Sequence, residues 1–158
     1  MKAVSSKELK QELANRTSKD LVALCLRLAR FKKENKELLT YLLFESDNEN
    51  AYIESVKNEI DEQFKQVNKK SFYYIRKGVR KVLQLTKKYI RYSPKKETEV
   101  ELLIYFCNKL NNFKPSIFRS PRLENLYYTQ IEHIAKKLKT LHEDLQYDYS
   151  EELKTLRK

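Results

Sequence analysis

Arg76, Lys77, Arg80, Lys81, Lys87, Lys88 and Arg91 follow one another at intervals of one, three or six residues, with Tyr73 just ahead of them. At about 100° per residue these seven cations fall within roughly 140° of a helix surface, and Tyr73 projects near the middle of that arc. Side chains of this kind suit phosphates better than base edges, so the chemistry on offer is electrostatic capture with counterion release. The helix would span roughly 30 Å, and a duplex presents about one phosphate per 1.7 Å of axis, so the strip could meet several phosphates at once. Tyr73 has two readings: a stacking platform for a base, or a side chain that shields the start of the helix.

The strip is a local feature of the chain. Residues 63–96 hold twelve Lys or Arg and no Asp or Glu, in a protein with 33 basic residues, 22 acidic ones and a net charge of +11. Everything outside that window, 21 basic against 22 acidic residues, is almost neutral. Charge concentrated on one element can guide a polyanion, whereas scattered charge mainly keeps a protein dissolved. Scarce Ala and Gly with abundant Lys, Asn, Tyr and Ile also suit an AT-rich genome, but that bias would not empty one window of acids. Two other readings stay open: a solvated face, or a face paired with acids of a neighbouring helix such as Glu54, Glu59, Asp61 and Glu62.

Catalytic chemistry finds little footing. A phosphate-cradling loop needs several glycines, and Gly78 is the one glycine of the chain. His133 and His142 are nine residues apart, which on one helix sets them about 180° apart, too far round to share a metal. Neither Cys25 nor Cys107 belongs to a CxxC pair, and both sit among apolar residues, where they are expected to pack as small hydrophobes. The carboxylates Glu59, Asp61 and Glu62, and Glu151 with Glu152, read as solvated faces. The expectation is a non-enzyme with no cofactor and no metal. A second contact site is conceivable at Ile117, Phe118, Arg119 and Arg122, in a loop stiffened by Pro115 and Pro121; the alternative is that its apolar residues anchor the loop to the core.

These residues must be positioned by helices. Ser6-Lys7-Glu8-Leu9, Ser18-Lys19-Asp20-Leu21 and Ser150-Glu151-Glu152-Leu153 each pair a serine with following acids, a helix-start pattern. Apolar residues then recur every three or four positions. A short first helix uses Leu9 and Leu13, and further helices are predicted near 19–31, 35–45, 50–67, 71–93, 97–113 and 122–146. Pro94 closes the basic helix, and no alternating strand pattern competes. With 158 residues, 41% of them hydrophobic, the chain fits a single all-α domain over 1–158, about seven helices in a bundle or a short stack of antiparallel helix pairs. No run of apolar residues reaches membrane-spanning length and the first twenty residues lack a signal-peptide core, so a cytoplasmic protein is expected.

With the helices laid out, the two Ser-Lys-acid-Leu motifs near the start, the 32–36 and 41–44 stretches before Asp47-Asn48-Glu49, the 52–60 segment and the basic helix resemble a bacterial family of small all-helical proteins classed as a domain of unknown function. The likeness covers the first 90 residues or so well and the rest loosely. It implies the all-helical fold and brings no activity or site residues. The functional expectation is a non-catalytic binding protein that contacts nucleic acid or another polyanion through the helix at about 71–92. The alternative is a helical scaffold that docks an acidic partner or subunit on the same strip.

Overall fold

The computed structural model describes residues 1–157, and every regular element among them is helical. Contacts group the chain into two compact units, Met1–Phe44 and Glu45–Lys158. The all-α expectation holds, with eight α-helices among the described residues.

In the first unit, α1 (Ser6–Ala14), α2 (Ser18–Phe31) and α3 (Lys33–Thr40) follow in quick succession. The helix starts lie one residue earlier than the serine motifs suggest. Ser5 caps α1 by accepting from the Glu8 N–H at 3.3 Å, while its own N–H donates to the Glu8 carboxylate at 2.8 Å. Thr17 and Asp20 do the same for α2. A reciprocal box needs its acid three residues after the cap, and Ser6 and Ser18 have theirs only two residues away. Helices α2 and α3 pack side by side as a hairpin. The Asn35 side chain ties the corner by donating to the Leu28 carbonyl at 2.8 Å. A π-helical turn, Tyr41–Glu45, follows α3.

The second unit holds α4 (Glu49–Lys65), α5 (Phe72–Ile90), α6 (Lys96–Asn111), α7 (Pro121–Leu138) and α8 (Glu143–Leu156), with a 3-10 turn at Ile117–Arg119. Helix α6 is the axis, packed against α4, α5, α7 and α8. Its side chains explain why: Val100, Leu102, Phe106, Cys107 and Leu110 are fully buried and spread over roughly 160° of the helix, so a wide apolar face needs several neighbours to cover it. Helix α5 buries Ile75, Val79, Val82, Leu83 and Thr86, the face its sequence marks as apolar.

The predicted helix over 122–146 is two helices. The chain tightens after Leu138, where the N–H groups of Thr140 and Leu141 donate to the carbonyls of Lys137 and Leu138. Leu141 then turns inward, and α8 runs back so that Leu153 and Leu156 are buried. The Tyr127 hydroxyl, on α7, donates to the Leu156 carbonyl at 2.8 Å. Ser150 is consequently not a cap but lies inside α8, its hydroxyl donating to the Tyr147 carbonyl.

Candidate functional site

The cationic helix is α5, and its first three turns face a broad cleft of about 660 Å³. Tyr73, Arg76, Lys77, Arg80 and Lys81 line it from α5; Gln63 and Gln66 come from the end of α4 and Arg122 from the start of α7. Lys87, Lys88 and Arg91 lie further along α5, outside the lining. The strip thus divides into a concave part and an open part.

The cleft owes its floor to one close approach. A Cβ on Gly78 would stand 2.9 Å from a methyl of Val67, which is buried just beyond α4. Only a residue without a side chain lets the two helices meet there. The lone glycine therefore serves helix packing, not a phosphate loop.

Electrostatically the cleft is unbalanced. Among the described residues Arg76, Lys77, Arg80, Lys81, Lys87 and Arg91 form no salt bridge, and Glu54, Glu59, Asp61 and Glu62 of α4 are engaged elsewhere. Glu54 holds Lys57 at 2.8 Å, Glu62 holds Lys65 at 2.6 Å, and Glu59 accepts from Gln63 at 3.0 Å. Asp61 reaches α6, accepting from Tyr105 at 2.8 Å and pairing with Lys109 at 2.9 Å. Among the described residues, none of these four acids pairs with Arg76, Lys77, Arg80, Lys81, Lys87 or Arg91, the pairing that the sequence leaves open. At the mouth of the cleft stand Tyr73, 60% exposed, and Tyr74, 45% exposed, ring edge to ring face with centroids 5.3 Å apart. An exposed tyrosine pair beside guanidinium groups is a surface on which a planar ring could stack.

The 114–121 loop resolves in favour of anchoring. Ile117 is fully buried, and Phe118 packs edge-on against Tyr127. Its arginines reach α5 all the same: Arg119 lies 6.0 Å over the Phe72 ring, and Arg122 joins the cleft. Sequence reasoning gave Tyr73 and the cations, and it missed Tyr74, Gln63, Gln66 and the role of Arg122. Tyr74 had a signal in its place beside Tyr73 at the edge of the arc. The glutamines had none.

The remaining polar clusters hold the fold. Glu99 on α6 meets His133 at 2.8 Å and Lys137 at 2.9 Å on α7. Burial works to raise the Glu99 carboxyl, but the hydrogen bonds from His133 and Lys137 outweigh it and hold it below the ordinary carboxylate range. His142 lies on no shared helix with His133; it precedes α8. Burial pushes the Tyr149 hydroxyl, which donates to Glu101, up to about 12. Cys107 is fully buried and its thiol is likewise raised to about 12, which keeps it inert. Cys25, expected to be buried, is exposed and lines a shallow groove between α2 and α3. Among the described residues no three His, Cys, Asp or Glu side chains gather where they could hold an ion, and no helix is long and apolar enough to cross a membrane.

No family model, curated protein or solved structure matches this chain.

Proposed function

We propose that this protein binds nucleic acid, or another polyanion, through the cleft and outer face of α5, in the cytoplasm and without a catalytic step. The observation that carries this reading is that, among the described residues, Arg76, Lys77, Arg80, Lys81, Lys87 and Arg91 form no salt bridge while Glu54, Glu59, Asp61 and Glu62 of the adjacent helix are engaged with other partners. Leaving like charges side by side costs stability, so a surface that keeps them is held ready for an opposite charge. Arg76, Arg80 and Lys81 grip phosphates from one wall and Arg122 from the other, while Tyr73 stacks against a base. Glutamine amides at Gln63 and Gln66 add neutral hydrogen bonds without fixing a sequence.

Fluorescence anisotropy with labelled single- and double-stranded oligonucleotides over a salt series tests this. If about five phosphates are neutralised, log affinity for duplex falls with log salt at a slope near −4.5. Arg76→Glu with Arg80→Glu is expected to abolish binding, and Lys87→Glu with Arg91→Glu to weaken it and flatten the slope. The second reading, an acidic protein docked on this face, draws on Lys87 and Arg91, which lie on open helix beyond the cleft. It gains if oligonucleotides fail to bind at low salt while an acidic polypeptide binds and is lost with Lys87→Glu and Arg91→Glu.

A further inference from the structure

The first unit is a set of helices without a core. Among its residues up to Thr40, none is buried. On α2, Val22, Leu24, Leu26, Leu28 and Phe31 are 41–78% exposed. Ten large apolar side chains on α1, α2 and the π-helical turn are at least 41% exposed.

The distribution around α2 says what is missing. On a wheel its apolar residues cover about 220°, and Lys19, Asp20, Arg27 and Arg30 share an arc of about 100°. Packing on α3 covers the part near Leu21 and Ala29, the most sheltered positions of the helix. One neighbour cannot cover so wide an arc, and α1 does not pack on it comparably. In a four-helix bundle a second helix pair packs beside the first and covers apolar surface that a lone hairpin leaves open. The hairpin already supplies two of the four helices and keeps its charges clear of the apolar stripe.

We infer that a second copy of this chain supplies the other two, the α2–α3 hairpins of two molecules closing into one four-helix bundle about a two-fold axis. Size agrees. At roughly 60–120 Å² of transferable apolar surface per large side chain, the eight on α2 and on the turn that follows α3, a little over half exposed, offer at most about 300–600 Å². A standard interface takes about 800 Å² from each partner, a little over half of it apolar, or roughly 450–500 Å². Between α2 and α3 runs an apolar groove of about 260 Å³, lined by Cys25, Leu28, Leu38, Leu39 and Leu42, which receives the exposed flank of the partner's α2. An interfacial helix lying on lipid would need a polar face about as wide as its apolar one, and the polar arc of α2 is half that.

Sedimentation velocity of the full chain, with thiol labelling in parallel, tests the inference. At micromolar concentration the species is expected to have twice the chain mass. Leu24→Glu with Leu28→Glu, both at exposed positions, is expected to weaken self-association at least about a hundredfold with helicity unchanged by circular dichroism. Cys25 is the accessible thiol and Cys107 the buried one, so labelling of Cys25 is expected to slow at least about tenfold from dilute to concentrated protein. A monomer at every concentration overturns the inference, and binding of that monomer to anionic vesicles would assign the face to lipid. A dimer that survives the double substitution, or that leaves Cys25 equally reactive, overturns it as well.

Discussion

Glu99 carries the sharpest prediction at the scale of one residue. Its carboxylate is mostly buried and joins α6 to α7 through His133 and Lys137, with its pKa held below the ordinary range. A carboxyl whose pKa is depressed by folding stabilises the native state above its unfolded pKa, and that stability is lost as pH falls through the folded pKa. Glu99→Gln is therefore expected to cost about 1–2 kcal/mol at neutral pH, where it leaves Lys137 without its partner. The gap between variant and wild type is expected to close as pH falls through the lowered pKa of Glu99 and the carboxyl itself becomes protonated. Urea titrations from neutral pH to pH 3 measure both. A gap that stays constant across that range would mean that shape, not charge, is what Gln fails to supply. Neither partner of Glu99 is legible in the sequence, because 34 residues and a loop separate it from His133.

Most of the element scale is legible. Core-facing residues recur every three or four positions, and the basic helix appears where its charge window places it. The break between α7 and α8 is not legible, since Leu138, Leu141 and Leu145 keep helical spacing straight through it. The cleft is half legible: its cations come from one continuous helix, but its shape depends on how closely α5 approaches the end of α4. Gly78 decides that distance and can be tested. Ala at this position would gain up to about 1 kcal/mol of helix propensity. Its Cβ would also meet Val67 at 2.9 Å, and a β-branched side chain in a buried site has little room to yield. Overpacking of this kind costs about 1–3 kcal/mol, so Gly78→Ala is expected to be destabilising by about 1 kcal/mol in net. Adding Val67→Ala should recover part of that loss, a coupling that a double-mutant cycle reads directly. A Gly78→Ala protein more stable than wild type would show that the helices are free to move apart, and the cleft with them.

At the scale of the whole molecule the two units differ in what stabilises them. The second unit packs four helices around α6 and fixes it further through Glu99, Glu101 and Asp61, so opening its amides requires disrupting the core. The first unit buries almost nothing of its own and relies on capping boxes, a corner hydrogen bond and one helix pairing. Local stability tracks buried apolar contact, so amide exchange should separate them by orders of magnitude. In dilute solution the amides of α2 and α3 are expected to exchange fast, while those of α6 approach the rate set by global unfolding. Raising the protein concentration then distinguishes causes. Association through the hairpin stabilises α2 and α3 by mass action and leaves α6 nearly unchanged. Hydrogen exchange followed by mass spectrometry at two concentrations, with Leu24→Glu and Leu28→Glu as the control, makes the comparison within one molecule. Protection of α2 that rises with concentration and vanishes in the control would place the association surface on the hairpin. Equal protection of both units in dilute solution would mean that the hairpin is stable without a second copy, and its exposed leucines would then need another explanation.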